Sequence, residues 1–267
     1  MPTALSRSET LLLVAITLAA LLACLGPSVP QFADYHAFAN QRSAWGLPHA
    51  LDVLSNLPFA IGGVLGLVAL RRHTRTSDSG TERRILAALF FLGLVIAALC
   101  SSFYHWQPDD TRLACDRLGM VAAFAGLLGL ATAERVSPRA GLGVAVAVLL
   151  WGPLSVAAWA TSANLLPWAV LQGGGMLLVL ALACCRPVAG AWGLSLLAVI
   201  AAYTIAKLLE LGDHQVFAWT GGLVSGHSLK HMAAALAAWP VIAAVRQAAG
   251  ARHNGKMARR WTETAAS

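Results

Sequence analysis

Long apolar runs alternate along the chain with short polar segments that contain most of its arginines. A helix that crosses a bilayer needs about 20 mainly apolar residues. Eight runs come close to this length: 10–25, 52–70, 85–105, 113–133, 140–160, 165–185, 192–211 and 227–246. Within a bilayer, such runs must satisfy their backbone groups internally, as helices do. The pattern therefore predicts an all-α, polytopic membrane helical bundle, formed as a single transmembrane domain over residues 1–267.

The composition supports the same class of protein. The chain is 58% hydrophobic and only 12% charged, whereas soluble domains carry about 25% charged residues. The net charge of +7 would also suit a nucleic-acid partner. The arginines, however, lie in short segments between the apolar runs and in the tail at 248–267, a distribution that sets membrane orientation. We therefore expect no nucleic-acid partner.

Eight spans place every basic segment on one side of the membrane. These segments are Arg7, the linker 71–84, Arg135 with Arg139, Arg186 and the tail at 248–267. Basic loops favour the cytoplasmic side, so both termini are predicted to be cytoplasmic. The first run, 10–25, has a long apolar region without an A-x-A-like cleavage site, which favours a retained helix over a cleaved signal peptide.

Two histidines open the last apolar run, in the stretch Ser225-Gly226-His227-Ser228-Leu229-Lys230-His231. Residues four apart on a helix lie on one face, about 5–6 Å apart at Cβ, and both imidazoles can then reach one metal ion. Ionisable groups within a membrane are costly and therefore indicate function. The pair is a candidate metal site.

A second polar cluster contains Ser101, His105 and Asp116. The predicted topology places it at the same depth as His227 and His231, on the non-cytoplasmic side. Three imidazoles and one water are the ligands of a catalytic zinc site with an open position. In such a site Asp116 would hold the water and accept its proton, and Ser101 would donate a hydrogen bond to a developing oxyanion.

The spacing Ser101-x-x-x-His105, then Asp116, then His227-x-x-x-His231, resembles the CREST superfamily of integral membrane hydrolases and receptors. The segments Asp52-Val53-Leu54-Ser55-Asn56 and 226–231 are most similar to its alkaline ceramidase branch, in a bacterial form. The resemblance implies a seven-helix core at about 52–247, zinc held by the three histidines, and catalytic roles for Ser101 and Asp116. It further implies hydrolysis of the amide bond of a ceramide-like membrane lipid. With the predicted topology, the expected location is the bacterial inner membrane, with the site facing the periplasm.

The chain departs from that family in two respects. The helix at 10–25 is additional to the seven-helix core, and the acidic calcium-binding motif is reduced to Asp34, with Asp52 further on. Too few oxygen ligands remain for a strong calcium site, so a calcium requirement is doubtful. The sequence leaves open the exact lipid, its acyl length and the oligomeric state.

Two other functions remain open at this stage. A receptor of the adiponectin-receptor kind would have the same ligands around a structural or weakly hydrolytic zinc. A transporter would use histidines on a proton path, but its charges should be spread through the membrane, whereas here they cluster at one end. Near that end, Lys207 and Glu210 are expected to pair, and a supporting role near the metal for Glu210 or Asp213 is the alternative.

Overall fold

A computed structural model describes residues 4–73 and 80–249, and these residues are mainly helical and contain no β-strand. The linker residues 74–79 and the tail residues 250–267, including Arg252 and Lys256, lie outside the described part. The helices are α1 (Arg7–Leu25), α2 (Ala50–Leu54), α3 (Leu57–His73), α4 (Thr81–Trp106), α5 (Asp110–Arg135), α6 (Pro138–Ser162), α7 (Leu166–Ala183), α8 (Leu196–Leu211), α9 (Asp213–Trp219) and α10 (Gly226–Ala235). The predicted all-α polytopic bundle is confirmed.

Seven helical segments in the described chain are long and apolar enough to span a membrane, so this is a multi-pass membrane protein. The last of them, Gly226–Ala249, contains α10 and its continuation. The sequence predicted eight such runs. The missing one is α8, whose 16 residues rise only about 24 Å at 1.5 Å per residue, less than the roughly 30 Å of a bilayer core.

Although α8 is short, the segment that contains it runs from one end of the bundle to the other. Glu134, on the last turn of α5, is 0% exposed and accepts backbone hydrogen bonds from Trp192, Gly193 and Leu194 at 2.9, 2.9 and 3.2 Å. The same carboxylate pairs with the buried Arg83 at 2.9 Å. We call the end of the bundle that contains Arg83 and Glu134 the basic end. Because these contacts hold residues 192–194 in a non-helical segment, α8 starts later than the apolar pattern predicted.

Two of the predicted spans are interrupted near prolines. The run at 52–70 divides into α2 and α3 around Ser55 and Asn56, two residues before Pro58. The last span has a turn at Leu236–Ala237, before Pro240. Proline lacks an N–H and its ring clashes with the carbonyl four residues earlier, which accounts for the second break. At the first break, polar backbone and side-chain groups leave the regular helix hydrogen bonding and lie next to His231.

The additional helix α1 is fastened to the bundle at both of its ends. Glu9, only 4% exposed, accepts hydrogen bonds from Arg139 and from Ser137, each at 2.6 Å. Beyond the other end, the Leu165 N–H donates to the Val29 carbonyl at 2.7 Å. A run of exposed leucines covers much of the rest of α1, as expected for a surface that faces lipid.

Helices α4 and α5 approach each other closely through small residues. A Cβ on Gly93 would lie 2.2 Å from the Ala123 backbone nitrogen, and one on Gly126 would lie 2.2 Å from that of Phe90. Small residues allow helix backbones in membranes to pack at short distance. This contact fixes α4 against α5 and so determines the relative positions of His105 and Asp116.

Candidate metal centre

Three histidines meet at the end of the bundle opposite Glu134, which we call the histidine end. His105 comes from the last turn of α4, and His227 and His231 come from the first turns of α10. Their exposed fractions are 1%, 6% and 6%, and one ring nitrogen from each lies within 4.8 Å of the other two. The sequence-predicted set is therefore brought together, and it is a group that could hold a metal ion.

The one short distance between ring nitrogens matches the spacing of two ligands of a tetrahedral metal. Two nitrogens at 2.0–2.1 Å from zinc and at the tetrahedral angle lie about 3.3 Å apart. The Nε2 atoms of His105 and His227 are separated by 3.2 Å. A hydrogen bond between these two rings would explain that one distance, but it would not explain the approach of His231, which is equally buried. A cation shared by all three rings would take up one lone pair from each of them.

The tautomer of His231 follows from its partner Ser55. The Ser55 hydroxyl donates to the Asp52 carbonyl at 2.9 Å, so its proton is not available to the imidazole. Ser55 Oγ lies 2.8 Å from His231 Nδ1 and must therefore accept a hydrogen bond from the Nδ1–H group. This assignment leaves Nε2 as the nitrogen with a free lone pair. Such a partner on the second ring nitrogen is typical of metal-binding histidines.

Two aspartates hold the start of α10 in place. The buried Asp52 accepts a hydrogen bond from Ser228 Oγ at 2.6 Å, and Asp213 accepts one from the His227 backbone N–H at 2.7 Å. Carboxylates are favourable at a helix N-terminus because its N–H groups point outward. The second oxygen of Asp213 accepts the Ala39 N–H at 2.9 Å. Asp213 thus positions a metal-site helix through its backbone, and ties it to the loop before α2.

An aromatic side chain from that loop covers the histidines. The ring centroid of Phe38 lies 4.2 Å from that of His227 and 4.9 Å from that of His105, and Phe38 is only 6% exposed. Apolar surroundings limit solvent access to a metal site. Asp34, the acid predicted in this loop, is exposed instead. Nothing in the sequence pattern singled out Phe38, which is far from the histidines along the chain.

Ser101 and Asp116 lie together beside the histidines, as predicted. Ser101 is buried near the end of α4, and Asp116 lies on the first turns of α5. Oxygen Oδ1 of Asp116 is buried and has no hydrogen-bond partner within the described chain. Both residues line a cavity of about 220 Å³, and His231 forms part of the same wall. Asp116 therefore has one oxygen available to a molecule that enters this cavity next to the metal ligands.

The cavity extends from the histidine end into the apolar interior of the bundle. On α4 its lining runs from Ser101 to Phe90, a distance of about 16 Å at 1.5 Å per residue. Leu128, Val179 and Val199 line the deeper part, on the halves of α5, α7 and α8 that approach the basic end. The polar groups cluster at the other end. The cavity has the shape and polarity of a site for a molecule with a polar head and an apolar chain.

Glu210 is paired with two lysines. Lys207 donates to one of its oxygens, which confirms the predicted Lys207–Glu210 pair, and Lys230 Nζ donates to the other at 2.6 Å. The contact with Lys230 spans 20 positions along the chain and was not predicted. His214, left unexplained by the sequence, lies 3.1 Å from the Ala37 carbonyl through its Nε2. It contacts the loop before α2 and is not one of the three clustered histidines.

Comparison of the chain with models of known protein families and with curated proteins finds no match. The candidate site is therefore described by its own geometry: three buried imidazoles, a neighbouring serine and carboxylate, and an adjoining cavity with apolar depth.

Proposed function

We propose that this protein is a zinc-dependent intramembrane amidohydrolase that cleaves ceramide-like N-acyl lipids to a free fatty acid and a sphingoid base. The main support for the proposal is that His231, Ser101 and Asp116 all line one cavity, which leads into the apolar interior. An acyl chain in the deep part would leave its amide bond at the polar end, beside the histidines. The resemblance of the same five residues to the CREST superfamily supports the same chemistry.

The residues of the site divide the reaction between them. His105, His227 and His231 would hold the zinc ion, which when bound supplies a Lewis acid that polarises a carbonyl and acidifies water. Asp116 accepts a proton at its unpartnered oxygen from the water that attacks the carbonyl carbon. Ser101 donates a hydrogen bond to the oxygen on which negative charge develops. Asp116 then returns the proton to the nitrogen as the C–N bond breaks, giving an acid and an amine.

The proposed setting is a bacterial inner membrane with the basic end in the cytoplasm. Arg83, Arg135 and Arg139 all lie at or near that end of the described bundle, and positive residues favour the cytoplasmic side. The histidine end then faces the periplasm. A reporter that is active only in the cytoplasm should be active when fused after Ser267. Activity of a periplasm-specific reporter at that position would show that the protein has the opposite orientation.

The hydrolase proposal is tested on detergent-purified protein with a panel of N-acyl sphingoid lipids of different acyl length. We expect fatty-acid release from zinc-loaded protein, its loss after chelation and its return when zinc is restored, because the metal supplies the Lewis acid. Release would be measured by mass spectrometry of the free acid. Folded, zinc-containing protein that cleaves no amide in the panel would contradict the hydrolase and favour the receptor alternative.

A further inference from the structure

The cavity wall carries a charged cluster that the proposed reaction does not use. Lys207, Glu210 and Lys230 all line the cavity, and both lysines donate to the one carboxylate of Glu210. The Lys230 side chain is 19% exposed and that of Lys207 is 46% exposed. Two ammonium groups around a single carboxylate leave one net positive charge at this position.

Both ammonium groups retain donors for a ligand. Each has three N–H bonds, and within the described chain Glu210 is the only hydrogen-bond acceptor found for either lysine. Asp116 adds a negative charge to the same cavity wall, but a divalent metal held by the histidines would outweigh it. An excess positive charge beside an apolar cavity within a membrane is unfavourable unless an anion compensates for it. The cluster is therefore suited to an anionic group.

The position of the cluster identifies which part of a substrate would reach it. Lys230 directly precedes the metal-site residue His231, and Glu210 and Lys207 lie on the last turns of α8 at the histidine end. The acyl chain would extend in the opposite direction, toward Phe90 and Leu128. The substituent on the nitrogen side of the amide bond is thus the part next to the lysines.

We propose that Lys207 and Lys230 form an anion-binding subsite that selects N-acyl lipids whose amine portion carries a carboxylate or a phosphate. The inference rests on the proposed amidohydrolase function and narrows its substrate class. Glu210 holds the two ammonium groups close to each other on the cavity wall. Ammonium ions bind carboxylate and phosphate oxygens through charge-assisted hydrogen bonds, which are about twice as strong as neutral ones.

The test compares three amides with the same acyl chain: N-dodecanoylethanolamine, N-dodecanoylglycine and N-dodecanoylethanolamine phosphate. With the zinc-loaded full chain, we expect kcat/KM for at least one anionic lipid to exceed that for the neutral lipid by about tenfold or more, as one charge-assisted hydrogen bond would provide. Lys207→Gln and Lys230→Gln should remove this preference mainly through KM, and Lys207→Arg should keep it. Arg72→Gln, at the basic end, is the control for loss of one positive charge.

Equilibrium binding of the same lipids to zinc-loaded protein, measured in the Asp116→Asn background if the wild type cleaves them, separates this inference from the hydrolase proposal. Tighter binding of an anionic lipid, lost in Lys207→Gln but not in Arg72→Gln, supports the subsite even if no amide is cleaved. A preference for the carboxylate or for the phosphate would distinguish the two sources of anion. If wild-type protein cleaves and binds all three lipids equally well, the subsite is rejected while the hydrolase stands.

Discussion

Replacing Asp116 with asparagine is expected to lower the rate of amide hydrolysis by about 10³-fold, within the 10²–10⁴ range of general acid–base catalysis. Asparagine has nearly the same shape but cannot take a proton from water or return it to the leaving amine. The carboxylate has one buried oxygen without a partner in the described chain, so the substitution removes a proton acceptor without opening a cavity. Zinc should stay bound because the three histidines are unchanged.

The measurement is kcat for fatty-acid release together with the metal content of the same preparation. Asp110→Asn is the matched control, since it makes the same change on the same helix. The Asp110 side chain is 72% exposed and contacts His36 at 3.2 Å, away from the cavity, and this variant should keep nearly all of the activity. An Asp116→Asn protein that retains more than about a tenth of wild-type kcat would exclude the proton-transfer role.

Hydrophobic patterning was sufficient to predict most of the fold because each span must be apolar over its length. It also placed His105 near His227 and His231, since alternating spans return to the same side of the membrane. It failed at α8, whose start is fixed by Glu134 from another helix. A run of apolar residues contains no information about such a partner, so the sequence pattern predicted a helix that includes residues 192–194.

Most contacts around the histidines could not be predicted from the sequence. The i, i+4 spacing of His227 and His231 is a local property and was sufficient to predict that they share a helix face. The hydrogen bond from His231 to Ser55, the ring of Phe38 over His227 and the pairing of Lys230 with Glu210 join distant parts of the chain. Such contacts depend on helix rotation and loop path, which one sequence does not specify.

Replacing His231 with alanine is expected to reduce zinc from about one ion per chain to nearly none, and to abolish hydrolysis with it. Three protein ligands are the usual minimum of a catalytic zinc site, and the two remaining imidazoles would complete only half of a tetrahedral shell. Ser55→Ala gives a graded comparison, because it removes only the partner of His231 Nδ1. Loss of such a partner weakens metal affinity by about 10–100-fold, so this variant should bind zinc at high but not at limiting concentration.

Metal content would be determined by elemental analysis of monodisperse, detergent-purified protein, with helicity checked by circular dichroism. His214→Ala is the control, because His214 contacts the Ala37 carbonyl at the histidine end without belonging to the cluster, and it should retain zinc fully. A His231→Ala protein with unchanged zinc would show that the metal binds elsewhere. Well-folded wild-type protein that takes up no zinc would remove the basis for the zinc-dependent hydrolase, because no zinc would then be available to polarise the carbonyl and acidify the water.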